Sequence, residues 1–388
     1  MKDRSRWSRR EFVQMAGSTV GAMTFGPPLL TRANPTNRSA TTRFVYVGFG
    51  GEGAKDEGIA VFDLSGGRWR LAGVVESASP SSLAMDAGER FLYAVNEVNE
   101  YEGLPSGTVE AYAIDATDGS LKLVNKQKLS LSATSPRHAA VSPDGRALVV
   151  AIHGGGAYNV LPLGEDGGLG RVSGILKETG AGPHDEQRSA HPQMVVFDRS
   201  ERVVSADLGT DRLNVLKLKT AQLAIAGRYA ARAGDGPRQL AFHPNGRQLF
   251  VANELDASVA CYEYDEDKGQ IVGRRAHVTT ACDGSAGGVV MAVDPAGEFL
   301  YTSHRRGGGG VSIWKIEGNT GCLQRLQIVD EGRARLHELA MTPDGKSLLG
   351  LSREDGGVFG WDVRNGQIDL GVQLASLEAP VSMALKSL

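Results

Sequence analysis

LAFHPNGRQLFV, residues 240–251, decides the fold. An apolar run leads into a Pro-Asn-Gly turn, and a second apolar run follows the turn. Because Asn-Gly favours tight turns and the flanking runs are apolar, the stretch predicts two antiparallel strands joined as a hairpin. The same phrase recurs as LAMDAGERFLYAVN (83–96), AAVSPDGRALVV (139–150), QMVVFDRSERVV (193–204), VMAVDPAGEFLY (290–301) and LAMTPDGKSLL (339–349).

The spacing of these hairpins defines a repeat of about 50 residues, with two units between Gly145 and Gly246. A third run rich in β-branched and aromatic residues follows each hairpin, as in Thr108–Ile114. A short Asp/Gly turn then leads to a fourth run, as in Gly119–Val124. Four strands in a unit of this length are typical of one blade of a β-propeller.

The two ends of the chain complement each other. Arg43–Gly48 corresponds to the second strand of a blade, and Gly58–Asp63 and Trp69–Val74 continue that blade. Its missing first strand is predicted at Pro380–Leu385, which resembles Pro80–Met85. We therefore predict an all-β, seven-bladed propeller over residues 43–388, with four antiparallel strands per blade. The C-terminal strand closes the ring by joining the N-terminal blade, which removes an open sheet edge.

The composition is that of an ordinary globular protein, with 388 residues, 41% hydrophobic and 22% charged. A formal net charge of −3 gives no reason to expect a nucleic-acid partner. Cys261, Cys282 and Cys322 match no metal-binding spacing, and an odd number of cysteines cannot form a complete disulfide framework. We expect buried or free thiols.

The N-terminal segment carries an export pattern. Arg9 and Arg10 precede Phe12 and Val13, as in twin-arginine signals, and a mildly apolar stretch runs to Leu30. We expect a signal segment at 1–33, a linker at 34–42, and the twin-arginine translocase as a partner during export. The mature protein would then be periplasmic or secreted, without a stable membrane span. The alternative is a chance arginine pair in a basic tail.

Blade topology sorts the polar residues by face. Residues just before a first strand and just after a second strand share one face, around the central channel. Those before first strands are Arg137, His138, His191, Arg238 and His337, and those after second strands are Asn96, Glu97, His153, Asp207, Asn253, Glu254, His304 and Arg305. Imidazoles, guanidinium groups and carboxylates on one concave rim suit acid–base chemistry on an anionic or carbonyl substrate. His243 falls on the opposite face, where we expect a structural role.

The alternative for each rim residue is structural, because polar side chains at blade ends also satisfy loops and line water-filled channels. The sequence carries no phosphate-binding glycine loop, nucleophile elbow or zinc signature. We expect no cofactor and no metal.

Several stretches together resemble one family. They are YAVNE (93–97), PRH (136–138) with SPDG (142–145), DLGTD (207–211), and GPRQLAFHP (236–244) leading to VANEL (251–255). From about residue 43 the chain is similar to the seven-bladed lactonase propellers, which include bacterial 6-phosphogluconolactonase and fungal carboxymuconate-cyclising enzymes.

The resemblance implies opening or closing of a sugar-acid lactone without a metal, within carbohydrate and glucose metabolism. It implies His138 or His191 as acid/base, Arg238 as anion holder and Glu254 as an assisting group. The other rim residues would contact the substrate. The sequence departs from the family pattern at Gln193 and Gln239, where the family has His, and at His153 and His304, where it has Tyr and Asn.

Two functions follow from these observations. The first is a lactonase-type carboxylic-ester hydrolase whose partner is a small-molecule lactone. The alternative is a non-catalytic propeller that binds a sugar acid or a protein on the same rim.

Overall fold

Hairpins joined by Pro/Asp/Gly turns make up nearly all of the computed structural model, which describes residues 42–51, 53–280, 287–306, 310–329 and 335–387. The predicted signal segment, most of the predicted linker and Cys282 lie outside these residues. No helix among them is long and apolar enough to cross a membrane. Three short 3₁₀ turns are present, at Asp185–Gln187, Leu208–Thr210 and Gly318–Thr320.

The strands form seven antiparallel sheets arranged as consecutive blades. Those of blades 1 to 4 are β1 (Thr42–Phe49), β2 (Gly58–Asp63) and β3 (Arg70–Glu76); β4 (Pro80–Met85), β5 (Phe91–Asn96), β6 (Thr108–Ile114) and β7 (Leu121–Lys128); β8 (Pro136–Val141), β9 (Ala147–Ile152), β10 (Ala157–Pro162) and β11 (Gly174–Lys177); β12 (Pro192–Phe197), β13 (Arg202–Asp207), β14 (Arg212–Lys219) and β15 (Gln222–Ala230).

Those of blades 5 to 7 are β16 (Pro237–Phe242), β17 (Gln248–Asn253), β18 (Ser258–Asp265) and β19 (Gln270–Thr279); β20 (Gly287–Val293), β21 (Phe299–Arg306), β22 (Val311–Glu317) and β23 (Cys322–Val329); β24 (Glu338–Met341), β25 (Ser347–Ser352), β26 (Gly357–Arg364), β27 (Gln367–Ile368) and β28 (Val372–Ser376). In blade 7 the outer position is divided, because β27 and β28 both pair with β26. The last strand, β29 (Pro380–Ser387), pairs with β1 and so completes blade 1.

The prediction of a seven-bladed propeller with four antiparallel strands per blade is confirmed. Burial explains the arrangement of strands within a blade. The second strands β9 and β17 are buried along their whole length, whereas the outermost strand β15 alternates between exposed and half-buried residues. A strand covered on both faces by neighbouring blades reads as a continuous apolar run, and an outer strand does not need to.

The core lies between blades. The described residues form seven hydrophobic clusters, each built from two neighbouring blades. Val45 of β1, Leu349 of β25 and Met383 of β29 share the cluster between blades 7 and 1. The interface at which the chain ends meet is therefore packed like the other six.

The ring is closed by a ladder between β1 and β29, with Val45 opposite Leu385 and Val47 opposite Met383, and with a register shift near each end. Gly48 lies opposite Ser382, whose hydroxyl donates to the Pro80 carbonyl of blade 2 over 2.6 Å. A Cβ at Gly48 would stand 2.3 Å from Ser382 Oγ and 2.5 Å from the Pro80 oxygen. Glycine is required here by close approach of two blades.

Strand limits correct part of the sequence analysis. Arg137, His138 and Arg238 lie inside innermost strands rather than before them, because pairing already begins at the preceding proline. Likewise, His304 and Arg305 lie within β21, and the strands β5, β13 and β17 end on Asn96, Asp207 and Asn253. β1 begins at Thr42, the last residue of the predicted linker.

Two of the cysteines are described by the structure. Cys261 is buried on β18, and Cys322 is exposed at the start of β23. Burial raises the pKa of the Cys261 thiol to about 12, so this thiol stays protonated and unreactive near neutral pH.

Removal of residues 378–388 is expected to abolish cooperative folding of the whole propeller, because it leaves β1 paired only with β2 and uncovers the cluster between blades 7 and 1. Thermal unfolding monitored by circular dichroism and calorimetry measures this. A truncated chain that unfolds in one transition at the wild-type temperature would contradict the closure.

A pair of glycine variants provides a finer test of the same junction. Gly48→Ala should destabilise the protein by about 1–3 kcal/mol, as overpacking does. Gly73→Ala, on the outer strand of the same blade, meets no atom within 4 Å and should leave the melting temperature within a degree or two of wild type.

Candidate active site

A β-bulge recurs at the start of the innermost strands. Pro136 lies opposite Ile152 and His138 opposite Ala151, so Arg137 has no partner in the ladder. The same shift leaves Ser81, Gln193, Arg238 and Val381 without ladder partners in blades 2, 4, 5 and 1. A bulge re-aims the side chain of its extra residue. The proline that precedes each bulge lacks an N–H group and suits the first position of a strand.

Two bulge arginines form ion pairs with glutamates that follow second strands. Arg137 Nη1 lies 2.7 Å from Glu97 Oε1 of the neighbouring blade. Arg238 Nε lies 3.4 Å from Glu254 Oε2, and Arg305 Nη1 lies 3.5 Å from the same oxygen. Three guanidinium groups thus face two carboxylates. The cluster carries a positive excess that favours an anion.

Arg238 is the electrostatic centre of this cluster. Burial lowers the pKa of its guanidinium, and the carboxylates of Glu254, Glu97 and Glu338 oppose that shift. Only 6% of the Glu254 side chain is exposed. Charges in so dry a place act more strongly than in water.

A histidine pair adjoins the arginines. The rings of His153 and His191 stack with their centroids 4.3 Å apart and their planes at 17°. His191 Nδ1 lies 2.9 Å from the His153 carbonyl oxygen, and Gln193 Nε2 lies 2.6 Å from His153 Nδ1. Because the amide nitrogen of Gln193 donates, His153 accepts at Nδ1 and carries its proton on Nε2.

Three imidazoles of the rim have lowered pKa values. Burial lowers the pKa of His153 to about 3, with help from Arg137, His191 and Arg238. Burial alone lowers the pKa of His138 to about 4. The pKa of His337 falls to about 4 through burial and the charges of Arg305, Arg353 and Arg238. All three rings are neutral at pH 7 and can receive a proton.

His138 and His191 differ in the hydrogen-bond partners of their ring nitrogens. His191 Nε2 lies 3.3 Å from Ser189 Oγ, so both of its ring nitrogens have polar neighbours. His138 Nδ1 is buried, and within the described part of the chain it has no hydrogen-bond partner. The His138 ring therefore has fewer hydrogen-bond partners than the His191 ring.

Three other predicted rim residues make contacts that support the backbone or their own blade. Asp207 Oδ1 accepts from the backbone N–H groups of His191 (2.8 Å) and Gly209 (3.0 Å). Asn253 Nδ2 donates to Ser258 Oγ over 2.8 Å. His304 is buried, with Nε2 2.8 Å from Thr280 Oγ1. Direct contacts among the other rim residues form three groups, Arg137–Glu97, His153–His191 and Arg238–Glu254–Arg305, and the three residues above lie outside them.

His243, predicted on the opposite face, lies in the hairpin between β16 and β17. Its Nε2 is 2.8 Å from the Gly297 oxygen, and its Nδ1 accepts from the Asn245 N–H over 3.0 Å. Both nitrogens serve the turn and its contact with blade 6.

Sequence reasoning missed Glu338, the first residue of β24. Aligning the repeats on their Pro-Asp/Asn-Gly turns would have found it, since Glu338 then falls in the same column as His138 and Gln239. Burial raises its pKa to about 8, although the Met383 N–H and Arg238 act in the other direction.

Comparison with known proteins identifies the family of the chain. Residues 44–385 match the family model described as lactonase, 7-bladed beta-propeller. The chain belongs to this lactonase family. It is 28% identical over 349 residues to the 6-phosphogluconolactonase of Bacillus subtilis, covering 87% of this chain and 97% of that protein.

Solved structures of lactonase-family proteins superpose on nearly the whole ring. A candidate 6-phosphogluconolactonase from Bacteroides fragilis is 25% identical with a TM-score of 0.81, covering 91% of this chain and all of the other. The periplasmic gluconolactonase of Pseudomonas aeruginosa gives a TM-score of 0.80 at 22% identity, covering 89% and 99%. Likeness at the latter identity shows the fold alone.

The two glutamines that depart from the lactonase pattern have different surroundings. Gln193 lies in the site, on His153. Gln239 instead bonds to the backbone of Met291 in the next blade, donating to its carbonyl over 3.2 Å and accepting from its N–H over 2.8 Å. The change at 239 therefore concerns the contact between blades 5 and 6 and not the histidine pair.

One group of side chains in the described residues has the composition of a metal site. Ligand atoms of Asp235, Asp256 and His277 lie within 4.8 Å of one another. Arg232 already bridges the two carboxylates, with Nε 2.9 Å from Asp235 Oδ1 and Nη2 2.7 Å from Asp256 Oδ2. The guanidinium supplies the positive charge that a cation would bring. We therefore interpret the group as a clamp on the loop that precedes Arg238.

The lowered histidine pKa values predict acid sensitivity. Between about pH 6.5 and 4 the unfolded chain binds protons that native His138, His153 and His337 do not, so the free energy of unfolding should fall as the pH falls through this window. Proton NMR of the imidazoles should show these three rings neutral down to pH 5, with the denatured protein as control. Titration of all three near pH 6.5 in the native protein would contradict the assignment.

Proposed function

We propose that this protein hydrolyses the lactone of a sugar acid, without a metal, on the rim formed by blades 2 to 7. The observation that carries the proposal is the cluster of Arg238, Arg305 and Glu254 next to His153 and His337, whose rings are neutral at pH 7. Family membership and relatives that bear the name 6-phosphogluconolactonase support a lactone as substrate.

The reaction divides into two proton transfers. Water adds to the lactone carbonyl carbon while His138 takes one of its protons, and the oxyanion that forms lies against the Arg238 and Arg305 guanidinium groups. The ring C–O bond then breaks, and the departing ring oxygen takes the proton back from His138. Preorganised cations at the oxyanion and a positioned base each lower the barrier.

His138 is assigned the proton transfer because its ring has free capacity, whereas His191 is held by His153 and Ser189. Glu254 keeps the two arginines apart and oriented. Arg137, paired with Glu97, adds positive charge next to His153 and helps keep that imidazole neutral.

The test is a panel of lactones that includes glucono-1,5-lactone and 6-phosphoglucono-1,5-lactone, measured above the spontaneous rate. Arg238→Ala and His138→Ala should each lower kcat/KM about 100-fold or more, as loss of an oxyanion donor or a general base does. His243→Ala, on the opposite face, is the matched control and should keep wild-type activity at moderate temperature.

Two outcomes would overturn the hydrolase. One is no acceleration of any lactone, with a sugar acid raising the melting temperature; the alternative of a binding propeller would then hold. The other is loss of activity with EDTA that added divalent metal restores, which would contradict a metal-free reaction.

We also propose export by the twin-arginine route, so that the protein meets its lactone outside the cytoplasm. An unphosphorylated lactone suits that compartment better than a phosphorylated one. In a bacterium with an intact translocase, Arg9→Lys with Arg10→Lys should keep the protein in the cytoplasm, whereas Arg4→Lys with Arg6→Lys should not. Cell fractionation measures the distribution, and export of the Arg9/Arg10 variant would refute the route.

A further inference from the structure

Glu338 occupies a structurally repeated position. It opens the innermost strand of blade 7 opposite Leu351, and in the aligned repeats it matches Gln239 of blade 5. Gln239 makes two hydrogen bonds to Met291 on the next innermost strand. Its side-chain N–H₂ donates to the Met291 carbonyl, and its side-chain oxygen accepts from the Met291 N–H.

The carboxyl group of Glu338 also bonds to the backbone of the next innermost strand, there as an acceptor. Its Oε2 accepts from the Met383 N–H over 2.8 Å, and Met383 belongs to the closing strand β29. A carboxylic acid that keeps its proton offers one acceptor and one donor, as an amide does. Glu338 thus occupies the position at which blade 5 has the neutral amide of Gln239.

The charges around Glu338 come from several strands. Arg238 of β16 acts on it directly, and Arg305 of β21 and Arg353 after β25 act on its chain neighbour His337. Lys386 of β29 donates instead to the Glu89 carbonyl at the far end of that strand. Burial outweighs Arg238 and the Met383 N–H, and holds the pKa near 8.

We propose that the proton on Glu338 sets the affinity of this rim for an anionic lactone, one that carries a carboxylate or a phosphate. The lactone part of this proposal rests on the function proposed above. With Glu338 neutral, Arg137, Arg238 and Arg305 face the two carboxylates of Glu97 and Glu254. With Glu338 ionised they face three, and the positive excess falls by one charge.

Alkaline pH isolates this effect. Above pH 7 the imidazoles of His138, His153 and His337 are already neutral, so their charge is constant. We therefore assign a change in anion affinity between pH 7 and 9.5 to Glu338.

The experiment is calorimetric titration of the full chain with D-gluconate and with 6-phosphogluconate, from pH 6.5 to 9.5 at constant ionic strength. The dissociation constant of the acid that binds should rise about three- to tenfold across the midpoint near pH 8, as expected for one added charge at partly screened distance. A steeper rise for the phosphate than for the carboxylate identifies phosphate as the recognised group, and equal slopes identify the carboxylate.

Glu338→Gln should abolish the pH dependence while keeping the affinity measured at pH 6.5, because glutamine reproduces the neutral acid. Glu298→Gln, in the hairpin on the opposite face, should keep the wild-type slope. Equal slopes in wild type and Glu338→Gln, or no binding of either acid, would overturn the proposal.

Stability gives a readout that does not depend on ligand. Native Glu338 holds a proton between about pH 4.5 and 8 that the unfolded chain releases, so this group lowers the free energy of unfolding as pH rises through this window. Below about pH 6.5 the three histidines act in the opposite direction, so the contribution of Glu338 is measured between about pH 6.5 and 8. Glu338→Gln should remove that contribution. If Glu338→Gln removes the pH dependence of binding and of stability, but the wild-type protein turns over no lactone, the hydrolase is rejected and this inference stands. If the wild-type protein turns over a lactone but binds the acids independently of pH, the hydrolase stands and this inference is rejected.

Discussion

Blade-to-blade packing is the constraint on which the rest of this structure depends. Each blade buries its apolar faces only against its two neighbours, so seven clusters form a closed series with no independent member. The series is complete only when β29 pairs with β1. A chemistry that needs groups from blades 2, 3, 5 and 6 at one place depends on that closure, because the channel diameter is fixed by the whole ring.

The second determinant is the bulge at the entrance of the innermost strands. In blades 1 to 5 it turns one side chain out of the ladder, and in blades 3, 4 and 5 that side chain lies beside a residue that follows a second strand. Arg137 with Glu97, Gln193 with His153, and Arg238 with Glu254 are three versions of this meeting. The location of the site thus follows from the repeat. Its chemistry depends on which residues occupy the bulge position and the position after the second strand.

Much of this could be predicted from the sequence, for identifiable reasons. Pro-Asp-Gly turns and apolar runs have local causes, and the resemblance of Pro380–Leu385 to Pro80–Met85 revealed the closure because the repeat itself supplied the reference. The bulges were not predictable, since a one-residue register shift leaves no compositional mark when both strands stay apolar. Without them Arg137 and Arg238 were placed before strands that in fact contain them.

Side-chain partners were the other limit. Asp207, Asn253 and His304 lie at the right height but are taken by nearby backbone and hydroxyl groups, which only coordinates reveal. Glu338 went unnoticed because a glutamate beside an apolar strand looks like an ordinary solvent-facing charge. Its pKa is raised by burial, and its carboxyl group contacts β29, a strand more than forty positions further along the chain.

The bulge has a consequence for how such proteins diversify. A residue outside the ladder contributes little to strand pairing, so exchanging it leaves blade and core intact. Ser81, Arg137, Gln193, Arg238 and Val381 already show that serine, arginine, glutamine and valine are all accepted there. Substitutions at these bulge positions can therefore change which substrates the ring binds, one position at a time, while the fold stays the same.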